Sequence, residues 1–282
     1  DGRSGRRIPP IVMGHEAAGH VAEIGAKVRN VQVGDRVTFD SMVSCGTCRY
    51  CQSGHSNLCA ERRGVGVSCQ DYRCHGALAE YIAVPQHIVY PLPAQLPWEQ
   101  AALVEPLSVA LHAVDRAAPV SQATAMVVGS GVIGLLVIQV LRHKGWSSII
   151  AVDLESSRLD LARQLGADHC IQPDPDRIRE VLDAETAGHG VGCAFEAVGT
   201  TQPVQLAIES TRKGGQVVLI GNLTPHVDVP LQSVVTRELD LFGSCASSGE
   251  YPGCIDMLAG GDNDVRLMFN GAARLGDGTK WF

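Results

Sequence analysis

The sequence lacks the excess of positive charge that nucleic-acid binding requires. Its 23 lysine and arginine residues face 30 aspartate and glutamate residues, which gives a formal net charge of −7 at pH 7. Aromatic residues are also few, at 5%. A nucleic-acid-binding surface needs clustered Lys and Arg, and single-strand binders add aromatic residues. This composition therefore argues against a nucleic-acid partner.

Long apolar stretches are missing as well. No run approaches the roughly 20 apolar residues that a membrane-spanning helix needs. No signal-peptide pattern opens the sequence. The chain has 282 residues, with 45% hydrophobic and 19% charged residues. These values are ordinary for a soluble globular protein with room for two domains, and we expect no membrane partner.

Four of the ten cysteines lie in one short segment, CGTCRYCQSGHSNLC, at Cys45, Cys48, Cys51 and Cys59. Four thiolates close the tetrahedral coordination sphere of zinc and leave no position for a substrate. The polar residues between them cannot bury enough apolar surface to fold alone, whereas a structural zinc can supply roughly 10–16 kcal/mol. The alternative is four unrelated thiols, but the repeated Cys-x2-Cys spacing favours a structural zinc site.

The remaining six cysteines are scattered without the spacing of a disulfide framework. Because four thiols are assigned to zinc, a reducing compartment is the better prediction. We therefore expect the protein in the cytosol.

A second motif indicates a nucleotide site. The apolar run before Gly129 leads into Gly129-Ser-Gly131-Val132-Ile133-Gly134 and then into a helical pattern. In such a strand–loop–helix, the first glycine permits a tight turn, the second lets a pyrophosphate approach the backbone, and the third lets helix pack on strand. The phosphates would lie at the helix N-terminus, where unpaired N–H groups favour negative charge.

The next strand, SSIIAVD, ends at Asp153, nineteen residues after Gly134. A carboxylate at this place can accept hydrogen bonds from the ribose hydroxyls of NAD and would repel the 2′-phosphate of NADP. Arg158 follows five residues later. An arginine near this strand end can lie along the adenosine or pair with a 2′-phosphate, so both cofactors stay open here.

Strands and helices alternate through the rest of this region. The sequence predicts helices in RLDLARQLGA and QPVQLAIEST, and strands over 169–171, 192–199, 214–222 and 239–245. About six strands with crossovers make a doubly wound α/β sheet. Gly199, Gly221 and Gly243 fall at strand ends, where small residues would let the cofactor approach. Each of them singly is better explained by a turn, but the three together favour a cofactor site.

The first hundred residues have a different pattern. GHVAEIG, DRVTFD and LAEYIAVP are short, rich in β-formers and bounded by Gly, Pro and Asp, and VQVGDRV is typical of a tight turn. We expect a mostly antiparallel β domain that carries the zinc site on a loop. Residues 99–118 change to helical periodicity and are predicted to link the two domains.

The motifs GHEAAGHVAEIG, the four-cysteine segment, GALAEYIAVP, ALVEPLSVALHAV and VVGSGVIG follow one another in one order. This order resembles the zinc-dependent medium-chain alcohol dehydrogenases, above all the sorbitol, threonine and polyol dehydrogenase branch. The resemblance implies a GroES-like β-rich catalytic domain over residues 1–110, a Rossmann NAD-binding domain over 111–262, and the start of a return to the catalytic domain over 263–282. It further implies structural and catalytic Zn²⁺, NAD as cofactor, a small alcohol or polyol substrate, and a homodimer or homotetramer.

The resemblance also implies the site residues. His15 and Glu16 of the GHE motif and Glu105 of the VEPLS segment correspond to residues at the family's catalytic zinc. The implied NAD contacts, together with the glycine loop, are Ile133, Asp153, Arg158, Ile220, Gly221, Asn222, Ser244, Cys245 and Ala246. A catalytic zinc keeps an open position and lowers the pKa of a bound hydroxyl toward ~7. Without the resemblance, His15 is a turn or core histidine, and Glu105 is a helix N-terminal charge beside Pro106.

One feature departs from the family pattern. The family has a further zinc-binding cysteine upstream of GHE, but only fourteen residues precede His15 here and none is Cys. The sequence also stops short of the family's C-terminal strands. The alternative prediction is therefore a truncated, non-catalytic NAD-binding remnant with the structural zinc alone, and a zinc-ribbon nucleic-acid module is a third that the charge disfavours. Polyols, secondary alcohols and hydroxy amino acids all stay open as substrates.

Overall fold

The computed structural model describes residues 10–67, 73–117, 124–261 and 264–280. Its backbone contacts divide the chain into two units, one formed by residues 1–108 with 246–282 and the other by residues 109–245. The predicted boundaries were 110 and 262, so this division places residues 246–262 with the first unit. Cys69, one of the scattered cysteines, lies outside the described residues, as does Ala118 at the end of the helix predicted over 99–118.

The first unit is built from short strands. They are β1 (Ala18–His20), β2 (Arg36–Phe39), β3 (Met42–Val43), β4 (Arg63–Val65), β5 (Arg73–Cys74) and β6 (Val89–Pro91). The order β1-β2-β6 is antiparallel, whereas in β3-β4-β5 the pair β4–β5 is parallel. A small apolar cluster fills the interior, formed by Phe39, Val43, Val65 and Ile88. The mostly antiparallel β prediction is confirmed, and so is the tight turn before β2, where Gly34 has a φ of +94°.

One predicted β segment does not form. Residues 78–85, LAEYIAVP, contain no strand. The chain just before and at the start of this segment pairs instead with residues 12–14, because Gly76, Ala77 and Leu78 donate to the carbonyls of Val12, Gly14 and Met13.

The helices α1 (Arg49–Gln52), α2 (Trp98–Ala102) and α3 (Val104–Asp115) follow in chain order. The single helix predicted over 99–118 is therefore split in two at Leu103. Pro106 lies in the first turn of α3 and has no N–H to donate, so a continuous helix would lose a hydrogen bond and meet the proline ring.

The second unit is a doubly wound sheet, as predicted. Its strands are β7 (Thr124–Val128), β8 (Ser148–Val152), β9 (His169–Ile171), β10 (Val191–Glu196), β11 (Thr211–Leu219) and β12 (Asp240–Gly243). Its helices are α4 (Val132–His143), α5 (Ser156–Gln164), α6 (Pro175–Thr186), α7 (Thr201–Ser210) and α8 (Leu231–Thr236). A final helix, α9 (Tyr251–Gly260), belongs to the first unit.

The six strands are parallel in the order β12-β11-β10-β7-β8-β9. The strands β8 and β10 are buried along their whole length, as expected for a sheet covered on both faces. Their register aligns the carboxyl ends, since Glu196 pairs with both Val128 and Leu219, and Val128 pairs with Val152. The residues just after these ends therefore share one edge of the sheet, where ligands of such sheets bind.

In the part of the chain that the structure describes, no helix combines the length and the apolarity needed to cross a membrane.

Candidate metal sites and cofactor site

The four predicted cysteines come together in the first unit. One sulfur from each of Cys45, Cys48, Cys51 and Cys59 lies within 4.8 Å of the others. The Cys48 and Cys51 sulfurs are 3.6 Å apart, and those of Cys45 and Cys51 are 4.0 Å apart. Sulfurs that bind one zinc tetrahedrally at about 2.3 Å lie roughly 3.8 Å from each other. The four thiols therefore fit a closed zinc site.

Backbone N–H groups prepare the Cys45 and Cys48 sulfurs for negative charge, whereas burial raises the pKa of the Cys51 thiol to about 11. The N–H groups of Cys48 and Cys45 donate to the sulfurs of Cys45 and Cys59, each at 3.3 Å. Hydrogen bonds from the Thr47 and Cys48 backbone lower the pKa of Cys45 to about 6. His55 is not drawn into the site, since its Nδ1 contacts the Ser53 hydroxyl at 3.1 Å. The site is thus formed by thiols alone, as the sequence predicted.

A second cluster joins residues that are far apart in sequence. One donor atom from each of His15, Glu16 and Glu105 lies within 4.8 Å of the other two. His15 and Glu16 precede β1, and Glu105 lies in the first turn of α3. Zinc-bound N and O atoms at about 2.1 Å lie roughly 3.4–4.2 Å apart, so a small side-chain adjustment would bring these three onto one ion.

Close backbone packing holds the loop that carries His15. Gly14 has a φ of +95°, and a Cβ there would lie 2.8 Å from the Leu78 side chain. Added Cβ atoms at Gly66 and Gly76 would lie 2.1 and 2.2 Å from the Gly14 carbonyl oxygen. Three glycines therefore let three backbone segments meet directly beside His15, and larger side chains would displace it.

The second cluster carries uncompensated negative charge. Burial raises the pKa of Glu105 to about 7; the Ser41 hydroxyl acts in the opposite direction and the Glu16 charge adds to the rise. Burial also raises the pKa of nearby Asp40 to about 7. Among the described residues, no lysine or arginine forms an ion pair with Glu105 or Asp40. A divalent cation would compensate this charge, so the donor set fits zinc with room for a further ligand.

The glycine loop has the predicted geometry. Gly129 has a φ of +95°, and a Cβ on Gly134 would lie 1.8 Å from the Gly129 carbonyl oxygen. At Gly131, by contrast, an added Cβ would meet nothing within 4 Å. Gly129 and Gly134 are therefore required by the turn and the helix packing, while Gly131 leaves open space at the start of α4. Val132 and Ile133 form the first residues of that helix.

Asp153 follows β8 and is 9% exposed. Its Oδ2 accepts a hydrogen bond from the Ser130 N–H at 2.7 Å, and its Oδ1 accepts one from the Glu155 N–H at 2.9 Å. Arg158 Nη1 lies 3.8 Å from Oδ2. The carboxylate is thus fixed against the glycine loop, and each oxygen keeps a further lone pair for a ligand.

A cavity of about 980 Å³ opens at this sheet edge. Gly129, Asp153 and Arg158 line it, together with Val198 and Thr200 after β10. It continues between α6 and α7. The second unit therefore places the predicted adenosine-binding residues around one cavity.

Two of the strand-end glycines also have a packing role that the sequence did not predict. A Cβ on Gly199 would lie 2.3 Å from the Asn222 nitrogen, and a Cβ on Gly221 would lie 2.1 Å from the Gly199 nitrogen. These glycines let two loops pack against each other, and that contact accounts for both. Gly243 has open space, with nothing within 4 Å of an added Cβ.

Sequence reasoning missed the residue that joins these two loops. Glu196 is fully buried, and its Oε1 accepts hydrogen bonds from the Val198 and Gly199 N–H groups, both at 2.8 Å. Its main-chain oxygen accepts from Ile220 at 2.8 Å and from Gly221 at 3.0 Å. The only signal in the sequence was an acidic residue inside an apolar strand, GCAFEAVG.

The predicted contacts after β11 and β12 lie at the same edge of the sheet. Ser244 donates its N–H to the Leu219 carbonyl at 2.9 Å. The Ser244 hydroxyl is buried without a partner among the described residues. Cys245 is exposed, and Ala246 has a positive φ of 52°. The structure thus brings Ile220, Gly221, Asn222 and Ser244 to the edge that carries Gly129 and Asp153.

Comparison with known proteins matches this architecture. Residues 1–94 match the family model of the alcohol dehydrogenase GroES-like domain, and residues 132–260 match that of zinc-binding dehydrogenases. L-idonate 5-dehydrogenase of Vitis vinifera is 35% identical over 263 residues, which are 92% of this chain and 71% of the relative. Sorbitol dehydrogenase of Bacillus subtilis (strain 168) is 34% identical over 272 residues, 95% of this chain and 76% of the relative.

Among solved structures, a zinc-binding dehydrogenase of Sinorhizobium meliloti 1021 bound to NADP is 30% identical. It superposes with a TM-score of 0.86 over 97% of this chain and 80% of that chain. The predictions of a GroES-like and Rossmann fold and of zinc and NAD(P) as cofactors are confirmed, and the non-catalytic remnant is not favoured. The chain therefore belongs to the zinc-dependent medium-chain alcohol dehydrogenases, in the sorbitol dehydrogenase-like branch, and is a zinc-dependent oxidoreductase.

Proposed function

We propose that this chain oxidises a secondary CH–OH group of a polyol and uses NAD as the hydride acceptor. The observation that carries the proposal is the meeting of His15, Glu16 and Glu105 in a unit that also holds a separate four-sulfur site. Two sites of such different chemistry match a structural zinc and a catalytic zinc. The names of the relatives, L-idonate 5-dehydrogenase and sorbitol dehydrogenase, support a polyol or sugar acid as substrate.

His15, Glu16 and Glu105 would hold the catalytic zinc, and Cys45, Cys48, Cys51 and Cys59 would hold the structural one. When bound, the catalytic ion supplies Lewis acidity that lowers the pKa of an alcohol hydroxyl. The protein's part is to fix the donors. The close packing around Gly14 orients His15, and the rigid first turn of α3 orients Glu105.

The second unit would bind the dinucleotide. Gly131 leaves room for the pyrophosphate, and the N–H groups of the first turn of α4, which a helix leaves without partners, would bind it. Asp153 would accept hydrogen bonds from the ribose hydroxyls, because the Ser130 and Glu155 N–H groups already hold its carboxylate in place. Its negative charge disfavours a 2′-phosphate, which supports NAD over NADP, while Arg158 at 3.8 Å limits that preference.

The function is tested by following NADH and NADPH formation with a panel of sorbitol, xylitol, L-idonate, 2-butanol and L-threonine. Zinc is measured on the same sample. Two zinc ions per chain with polyol-dependent NADH formation would support the proposal. One zinc without turnover on any member of the panel would support the non-catalytic remnant instead, and turnover of threonine alone would move the substrate class to hydroxy amino acids.

We further propose a cytosolic homodimer or homotetramer. The assembly rests on the family resemblance, and the compartment on the assignment of four cysteines to a zinc site, which favours a reducing environment. Light scattering coupled to size-exclusion chromatography measures the assembly. A monomeric mass would overturn that part of the proposal.

A further inference from the structure

Ser41 contacts the second metal cluster from a strand end that sequence reasoning did not connect with it. Its hydroxyl donates a hydrogen bond of 2.8 Å to Oε1 of Glu105, which lies 64 residues further along the chain. Both residues are buried, with 5% of Ser41 and 8% of Glu105 exposed. Among the described residues, Ser41 is the donor to the Glu105 carboxylate.

The turn that carries Ser41 is fixed on both sides. Asp40 accepts a hydrogen bond from the Met42 N–H through Oδ1 at 2.8 Å, and its own N–H donates to the Ile88 carbonyl at 2.8 Å. The Ser41 carbonyl accepts from the Val65 N–H, also at 2.8 Å. Because β4 and the segment before β6 both hold this turn, the hydroxyl has a set position relative to α3.

A carboxylate that binds a metal must present the correct oxygen in the correct orientation. The Glu105 side chain has no ion pair with a described lysine or arginine, and without Ser41 its carboxylate could rotate about its last bond. Donors that hold a metal-binding group typically change metal affinity or activity by about 10–100-fold when removed. The hydroxyl of Ser41 takes one lone pair of Glu105 Oε1, and a carboxylate oxygen of Glu105 lies within 4.8 Å of donor atoms of His15 and Glu16.

We propose that Ser41 is a positioning residue that orients the Glu105 carboxylate for the catalytic metal ion. This inference rests on the proposed function, because it requires Glu105 to be a metal-site residue.

The chain offers a matched control. The Ser108 hydroxyl also bonds to Glu105, but to its main-chain carbonyl at 2.6 Å, and Ser108 is fully buried. Ser41→Ala and Ser108→Ala therefore each remove one buried hydroxyl that donates a hydrogen bond to Glu105. Only Ser41→Ala removes the hydrogen bond to the carboxylate. Ser41→Thr retains the hydroxyl.

The experiment is a cobalt(II) titration of each full-length variant with zinc retained in the four-cysteine site. Competition with a chromogenic chelator gives the affinity, and the visible absorption bands of bound cobalt report the ligand geometry. Ser41→Ala should weaken the second site by about 10–100-fold and change its bands, while Ser41→Thr and Ser108→Ala stay within about three-fold of the wild type. Thermal unfolding confirms that each variant is folded.

A loss of less than about ten-fold in Ser41→Ala would overturn the positioning role. An equal loss in Ser41→Thr or Ser108→Ala would overturn it as well, because the effect would then follow from packing around Glu105. If the wild type binds no cobalt beyond the four-cysteine site, the metal role of Glu105 fails, and the proposed function fails with it.

Discussion

The two units of this protein obtain their order from different sources. The first unit has strands of two to four residues and a small apolar cluster, and it holds both metal sites. The second has a six-stranded parallel sheet in which β8 and β10 are buried along their whole length. The four-cysteine segment buries few apolar side chains of its own and depends on its metal, whereas a unit with a large core can use glycine and carboxylate residues for binding.

Buried acidic groups of the two units also differ in the hydrogen-bond donors that surround them. Asp153 accepts two backbone N–H bonds that fix its position for a ligand. Glu105 is buried with one hydroxyl donor, and burial raises its pKa to about 7. A buried carboxylate with few hydrogen-bond donors is stabilised by binding a cation. A carboxylate that backbone N–H groups already hold in place can accept a further hydrogen bond from a ligand hydroxyl.

The largest expected effect is the loss of the four-sulfur site. Cys48→Ala should release the structural zinc, whose binding contributes roughly 10–16 kcal/mol to the folding of such a segment. Hydrogen exchange should show residues 45–65 unprotected while β7, β8 and β10 stay protected. Cys74→Ala, a cysteine outside the cluster, is the control. Loss of protection in the sheet as well would contradict the expectation that the second unit keeps its fold without the four-sulfur site.

Glu105→Gln should reduce turnover by more than about 100-fold, because a group at the metal acts more directly than the supporting residues around it. The affinity for NAD should stay within about two-fold, and stability should not fall, since a buried charge is removed. Steady-state kinetics and NAD titration by fluorescence measure both. A weakened NAD affinity with unchanged turnover would place Glu105 outside the metal site.

Asp153→Ala should narrow the preference for NAD over NADP by about 10–100-fold, the usual value of one or two hydrogen bonds to a charged group. The ratio of kcat/KM for the two cofactors measures it. Glu155→Ala removes the neighbouring carboxylate of the same cavity and serves as the control. An unchanged ratio in Asp153→Ala would refute the ribose contact.

Local features were predictable from the sequence. The four cysteines lie within fifteen residues, so their spacing alone indicates the site. The glycine loop and Asp153 were equally clear, because a strand, a turn and a helix follow one another in the chain. Contacts between distant segments were not predictable. The bond from Ser41 to Glu105, the packing of Gly199 against Gly221 and the role of Glu196 all depend on tertiary structure. The break between α2 and α3 at Leu103 was not predicted, because the apolar periodicity of residues 99–118 indicated one helix and the effect of Pro106 on that helix was not considered.

The smallest expected effect concerns Glu196. Burial raises its pKa above the ordinary value of 4.5, and the N–H groups of Gly199 and Val198 only partly oppose this. As pH rises from the ordinary pKa of 4.5 to the raised pKa of the folded state, Glu196 loses its proton in the unfolded chain before it does so in the folded one. The folded state then binds more protons, so the free energy of unfolding should fall with increasing pH. In Glu196→Gln the amide oxygen can still accept both N–H bonds, but no proton is lost.

Chemical denaturation of wild type and Glu196→Gln at about pH 5 and pH 8 measures this difference. The free energy of unfolding of Glu196→Gln should rise relative to that of the wild type between about pH 5 and pH 8. Any pH-independent loss of stability caused by the substitution is the same at both pH values and cancels from this difference. Glu209→Gln, an exposed carboxylate on α7, should show no such gain. A parallel pH dependence in wild type and Glu196→Gln would mean that folding does not raise the pKa of Glu196. Among the described carboxyl groups, a pKa raised by burial would then be confined to Asp40 and Glu105 near the second metal cluster.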